Sequence, residues 1–383
     1  MRRQRAVPLP SRGVRAIALT VLAAGFLPTT LGAQQSAATA ALDSLNDGPH
    51  VYWQSDTEAS VFYLCRGEFA LKRYRTSSNL KFDGMCGDSL SSYDFPAKAP
   101  KIEPYEFDGV EQIFVMSDIH GDYRELVALL RGAGVIDKAD RWSWGKGHLV
   151  VNGDIFDRGD AVTECLWLIH RLEREARDAG GRVHYVLGNH EMMVLRGDDR
   201  YVNGKYLGGI VRYTGITHHD LYGPDMELGR WLRTKHVAVK VNDIVFVHGG
   251  LGTQSVERGL DIAKLNETAR SIIDMRSYEL FFSDVPFFVN GTEGPLWYRG
   301  YHYGMEGRYA QITPEELDGV LKFYGAKTIV VGHSEIGQVS QLYGGRVYGV
   351  DVPVDALGGF EALLWKDGTF YRVGVDGSAV AFP

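Results

Sequence analysis

The sequence predicts an α/β fold: a two-sheet sandwich with helices outside, preceded by a small β-rich appendage. Three observations carry this. From Gln112 onward, short apolar runs of strand length alternate with amphipathic helical segments, the pattern of layered α/β folds. Polar motifs rich in Gly, Asp and His follow those apolar runs directly. Before this regular region, residues 50–105 hold aromatic, strand-like pieces broken by Gly, Ser, Asp and Pro clusters.

Taken in order, the first segment stands apart. Arg2, Arg3, Arg5, Arg12 and Arg15 precede an apolar run from Ala16 to Leu27, with small residues at Gly32 and Ala33. That order is the order of a secretory signal peptide, with cleavage after Ala33. An organellar transit peptide is the competing reading. Loss of residues 1–33 removes five arginines and takes the formal charge from −7 to −12. So acidic a body excludes a nucleic-acid partner, which needs a basic footprint. It also retains no apolar stretch long enough to span a membrane. The expected location is exported, periplasmic or secreted.

Residues 34–48 read as a tail or short helix, and the whole of 34–110 as tail plus appendage, with strands at His50–Gln54, Ser60–Cys65 and Phe69–Tyr74. Residues 111–383 read as the catalytic domain. Within it, Ile113–Met116, His148–Val151, Arg182–Leu187 and Thr328–Val331 are strands. Asp122–Arg131 and Val162–Ala179 are helices, the second stopped by Gly180-Gly181. Val237–Val241 and Ile244–Val247 flank Asn242-Asp243 as a hairpin. Thr313 and Glu316 form a capping box that opens a helix to Tyr324. Arg346–Val350, Ala362–Trp365 and Thr369–Val373 read as a closing antiparallel meander. Of three cysteines, Cys65 and Cys86 could pair or remain free thiols, and Cys165 reads as a buried hydrophobe.

Five polar motifs sit at strand ends, where α/β folds build their sites. They are Asp118-Ile-His120-Gly, Gly-Asp154-Ile-Phe-Asp157-Arg158-Gly, Gly-Asn189-His190-Glu191, His248-Gly-Gly and Gly-His333. Asp118 and His120, two apart in a turn, can reach one ion. Asp154 supplies a carboxylate able to bridge two. Asn189, His248 and His333 supply an oxygen and two nitrogens for the second. Such a mixed set suits Mn, Fe or Zn better than Ca, which wants oxygen alone.

These motifs resemble the phosphoprotein phosphatase branch of the calcineurin-like metallophosphoesterases. The segments from Asn189 to Val202 and from Gly294 to Tyr301 are similar to bacterial Shewanella-like phosphatases. The resemblance implies two divalent metal ions and a metallophosphoesterase sandwich. It implies Arg158 as a phosphate-gripping residue, His190 as general acid, Asp157 as its orienting partner and Asn189 as a further phosphate contact. One departure is plain: eukaryotic members carry Arg before Gly-Asn-His-Glu, and this chain has Leu187. The second phosphate arginine must then come from elsewhere, with Arg299 the first choice and Arg196 the second. Glu191 reads as a helix-start carboxylate, and Asp351 as a possible orienter of a ligand histidine. Tyr201, Tyr206, Tyr213, Tyr298, Tyr301 and Tyr303 are candidates for an aromatic rim.

The expected function is hydrolysis of phosphotyrosine, phosphoserine or phosphothreonine in proteins or peptides, by attack of a metal-bridging hydroxide. The alternatives are a nucleotidase or diadenosine-polyphosphate hydrolase and, from another class, a catalytically silent scaffold.

Overall fold

The computed structural model describes residues 45–86, 90–304 and 310–383. The segment expected to be a signal peptide, residues 1–33, lies outside the described residues. No described helix is long and apolar enough to cross a membrane.

The N-terminal strands are β1 (Asp47–Ser55), β2 (Glu58–Cys65) and β3 (Glu68–Arg75), which form a three-stranded antiparallel sheet. Strand structure begins at Asp47, so the end of the expected tail is strand. A hairpin of β4 (Asn79–Asp83) and β5 (Ser92–Pro96) follows, which the sequence reading did not contain. Cys65 and Cys86 are disulfide-bonded, with Cα atoms 5.3 Å apart. Cys165 is free and buried.

The two large sheets come next. β6 (Glu106–Phe107) is the edge of one; β7 (Gln112–Met116) is central to the other. From β7 the chain passes through α1 (Tyr123–Gly132) to β8 (His148–Val151), then through α2 (Val162–Asp178) to β9 (Arg182–Tyr185). These three strands are parallel, as their connections through helices allow. α3 (Asn189–Leu195) follows β9. β10 (Ala238–Val241) and β11 (Ile244–Val247) form the hairpin, with Asn242 at φ 56° in its turn. β12 (Thr328–Val331) lies parallel to β11.

The closing segment corrects the sequence reading. β13 (Ser340–Leu342) and β14 (Val347–Gly349) belong to the sheet of β10–β12, and β14 runs parallel to β12. Only β15 (Glu361–Lys366), β16 (Thr369–Gly374) and β17 (Ala379–Ala381) form an antiparallel meander, added to β7 in the other sheet. Between Gly349 and Glu361 the chain changes sheets through a segment that holds Pro353 and the Gly358-Gly359 pair, residues that interrupt strands.

Strand alternation builds the sandwich. Ile113, Val115 and Val150 face Val239, Val241, Phe246 and Val330 across the inter-sheet core. Phe114, Met116, Leu149 and Val151 point the other way, under Leu126, Leu130, Leu166 and Ile169 of α1 and α2. The N-terminal strands share this second core. Trp167 of α2 donates Nε1–H to the Pro49 carbonyl at 2.8 Å, and its ring lies 5.0 Å from that of Tyr93.

Candidate metal centre

All five motifs converge where strands of both sheets end. Asp118 follows β7, Asp154 follows β8, Asn189 follows β9, His248 follows β11 and His333 follows β12. Leaving a strand this abruptly requires unusual backbone. Asp118, His120, Asp154, Asp157, Arg158 and His333 all have φ between 47° and 72°, the left-handed region. They are half of the twelve non-glycine residues with positive φ among the described residues. Each costs on the order of 1 kcal/mol or more, which the surrounding packing must hold down. Two glycines serve close approach instead: a Cβ on Gly188 would collide with the Asp154 carboxylate, and one on Gly332 with Ser117 and Asp118.

Two groups able to hold a cation share Asp154: His120, Asp154 and His190, and Asp154, His248 and His333. Asp154 Oδ2 is 3.2 Å from His248 Nε2 and 3.8 Å from His190 Nε2. Asn189 Oδ1 is 2.9 Å from His248 Nε2. Asp118 sits beside the first group, with Oδ1 3.9 Å from His120 Nε2. Its Oδ2 accepts from Ser117 Oγ at 2.6 Å and from the His333 N–H at 3.1 Å, which fixes the carboxylate. The far ring nitrogens are fixed too. His120 Nδ1 meets the Phe156 carbonyl and His248 Nδ1 the Asn152 carbonyl, both at 2.8 Å. Such contacts set which nitrogen faces the centre.

The fit to a cation rests on what is unsatisfied. Nε2 of His120 and Nε2 of His333 are buried without a hydrogen-bond partner. A buried polar nitrogen left unpaired costs about 1–3 kcal/mol, so natural structures rarely leave one without a purpose. Both point where carboxylates and an amide oxygen converge, and a divalent ion satisfies all of them.

Charge follows the same geometry. Burial pushes the Asp154 carboxyl up, but His248, His190 and His120 outweigh it and hold it well below the usual range. Burial pulls His248 down, yet Asp154 and Asp118 lift it to about 10. Burial drives His120 down to about 4 and His333 well below its ordinary value. His190 is raised: burial opposes its charge, while the hydrogen bond to Asp157 and the charge of Asp154 favour it. Asp157 Oδ2 stands 2.6 Å from His190 Nδ1, inside hydrogen-bonding range.

The arginines differ. Arg158 is exposed at the mouth; its backbone is held by the Tyr201 carbonyl and the Asn203 amide, and its guanidinium has no partner among the described residues. Arg299 donates Nη1–H to the His333 carbonyl at 2.6 Å, so it lies against a ligand loop. Arg196 spends Nη1 on the carbonyls of Ile272 and Met275, a packing bond that ties α3 to the helix Ile262–Ile273. It lines the cleft beside Asn189 but is not free to turn to a phosphate.

Three sequence expectations change here. Tyr206, Tyr298 and Tyr301 are buried, and Tyr206 and Tyr301 bond backbone groups, so they form no rim. Tyr201 does reach the mouth, half exposed, with its ring 5.3 Å from that of His190. Asp351 bonds no ligand histidine; the carbonyls of Phe156 and Asn152 do that work. Glu191 does far more than begin a helix. Its carboxylate accepts from the N–H groups of Gly188, Asp154, Ile155 and Phe156 and from the Tyr185 hydroxyl, at 2.7–3.3 Å. It thereby locks the Asp154 loop to the Asn189 loop. No pattern in the sequence could show that, because three of its five donors, Asp154, Ile155 and Phe156, lie 35 to 37 positions away.

A cavity of about 640 Å³ lies elsewhere, between the β5 segment and α2, over Trp167 and Trp231. It shares no residue with either cation-capable group, so volume does not identify the reactive site here.

Comparison with known proteins agrees with this geometry. The calcineurin-like phosphoesterase family model matches residues 112–335. A crystal structure of a cold-active protein-tyrosine phosphatase from a psychrophilic Shewanella superposes with a TM-score of 0.82 at 34% identity, covering 88% of this chain and 99% of that one. Shewanella-like protein phosphatase 2 of Arabidopsis thaliana is 28% identical over 280 residues, 62% of this chain and 70% of that one. Shewanella-like protein phosphatase 1 of Plasmodium berghei is 31% identical over 224 residues, 58% of this chain and 61% of that one.

Proposed function

We propose, for a chain that belongs to the calcineurin-like phosphoesterase family and is a metal-dependent phosphatase, that its reaction is hydrolysis of phosphomonoesters on proteins or peptides, at phosphotyrosine, phosphoserine or phosphothreonine. We propose two divalent ions, Mn, Fe or Zn, the first held by Asp118, His120 and Asp154, the second by Asp154, Asn189, His248 and His333. Export before action is part of the same proposal.

The observation that carries the reading is Asp154 shared between two cation-capable groups, each with a buried, unpaired histidine nitrogen. Bound metals would supply activation of the attacking water and much of the charge neutralisation at phosphorus. The chain's own groups do the rest. Arg158, with an unengaged guanidinium, grips the phosphate oxygens from the solvent side; Arg299 and Asn189 approach from the inside. An arginine fork pairs with two such oxygens at once, and its charge counts most where water is excluded. His190 carries its proton because Asp157 holds Nδ1. That leaves Nε2 free to protonate the departing alkoxide or phenoxide. Glu191 keeps the two loops in register throughout.

The test is p-nitrophenyl phosphate hydrolysis with Mn supplied, beside Asp154→Asn and a chelator. Turnover that falls about 10³-fold or more in both controls supports the reading. Well-folded, metal-loaded wild type without turnover would overturn it.

A further inference from the structure

Four of the fourteen large apolar side chains exposed among the described residues fall within ten positions: Tyr278, Phe281, Phe282 and Phe287. They belong to two short helices, Ser277–Phe281 and Asp284–Val289, and the turn between them. These helices already have an inward face, since Leu280, Phe288 and Val289 are buried. The outward phenylalanines are therefore surplus to the core. They also touch one another: the Phe281 ring lies 5.2 Å from Phe282 and 5.9 Å from Phe287. A contiguous, preformed apolar surface differs from scattered exposed residues and marks a binding face. The charges beside it are matched, Arg258 with Asp284 and Arg276 with Glu279, so the rim offers little net charge to a partner.

What covers this surface follows from where the chain goes next. Asn290, Gly291 and Thr292 leave the second helix directly and line a cleft of about 330 Å³ with Asn189, Met192 and Trp297. Asn189 is a proposed metal ligand, and the Trp297 ring is 5.5 Å from that of His333. Asn189 thus sets one end of the cleft at the metal centre, and Asn290, Gly291 and Thr292, which directly follow the helix carrying Phe287, form a wall of it. The cleft is larger than a phosphoryl group needs, and beside the charged Arg196, Asp198 and Arg200 its Met192, Met193 and Trp297 walls suit apolar side chains.

We propose that this cleft and the Phe281–Phe282–Phe287 surface form one track for the polypeptide that carries the phosphoryl group, selecting substrates with large apolar side chains flanking the phosphorylated residue. This rests on the phosphatase reading above and assigns its specificity. Burying one or two such side chains corresponds to about tenfold in affinity.

The experiment compares two fluorescein-labelled phosphonate peptides, non-hydrolysable and identical except for Leu/Ile or Ser flanks. Binding to Mn-loaded protein is read by anisotropy for wild type, F281S/F282S/F287S and the single variant F282S. p-Nitrophenyl phosphate turnover is followed in parallel. Wild type should bind the Leu/Ile peptide about tenfold tighter, the triple variant should lose that preference, and F282S should lose part of it, all with p-nitrophenyl phosphate turnover unchanged. Equal binding of both peptides by wild type overturns the track. So does a preference that survives in the variants while sedimentation or binding to neutral lipid vesicles changes, which would assign the surface to self-association or a membrane. Absent p-nitrophenyl phosphate turnover by wild type overturns the phosphatase reading separately, because the anisotropy comparison needs no turnover.

Discussion

Two buried polar clusters in this molecule can be set side by side. In the N-terminal sheet, the Asp47 carboxylate accepts from the Gly48 N–H and the Thr163 hydroxyl at 2.9 Å and meets His50 Nε2 at 3.0 Å. At the metal centre, His120 and His333 each keep a buried ring nitrogen with no partner. Both clusters are buried and both join a carboxylate to histidine, His50 alone in the first and several in the second. The first closes on itself; the second is open. The backbone differs as well: left-handed aspartates and histidines gather at the centre, while neither Asp47 nor His50 lies in that region and the irregularity between them falls on Gly48, at φ 115°. Burial of charge alone does not mark a reactive site. Burial with unfilled valence and stored backbone strain does.

That contrast can be broken from either side. The largest expected effect is on stability at the closed cluster. Asp47→Ala leaves His50 and Thr163 buried without their shared acceptor and should cost about 3 kcal/mol, read by urea denaturation. Turnover per folded molecule should stay near wild type; a large fall in kcat would show that the N-terminal sheet shapes the site.

At the open cluster, His190→Asn should barely change stability but lower kcat about 10²-fold on an alkyl phosphate such as phosphoserine peptide. The loss should be much smaller on p-nitrophenyl phosphate, whose leaving group needs no proton. Equal losses on both substrates would count against His190 as the acid.

The mildest probe is proton release. His248 is raised to about 10 by Asp154 and Asp118, so near neutral pH it is protonated. A metal must displace that proton to use Nε2, so apparent metal affinity should rise as pH rises and fall as pH drops, by up to about tenfold per pH unit below that value. Titration calorimetry in buffers of different ionisation enthalpy should report about one proton released from this group on filling the site. No release would mean that His248 is neutral before the metal arrives.

Much of this was legible beforehand. The strands His148–Val151 and Thr328–Val331 have the bounds read from the sequence, and the Thr313 capping box opens its helix as expected. Short apolar runs with clear stops and caps leave little freedom. Val347–Gly349 was misplaced because a short apolar strand looks the same in a parallel or an antiparallel neighbourhood. The tyrosines were misjudged for a related reason: Tyr206 and Tyr301 each bury a ring while spending the hydroxyl on backbone, and sequence cannot tell that from a half-exposed rim.

The sequence by itself determined the α/β class, the strand-end motifs and the residue types that can bind a cation, because these depend on local periodicity and on side-chain chemistry. Only the tertiary structure decided that Glu191 ties two loops together, that Arg196 is spent on carbonyls of a neighbouring helix, that Asp351 orients no histidine, and that four aromatic side chains face outward beside the cleft. The first three depend on which distant backbone groups arrive within about 3 Å, and the last on which helix faces pack inward; both are set by packing, not by spacing along the chain.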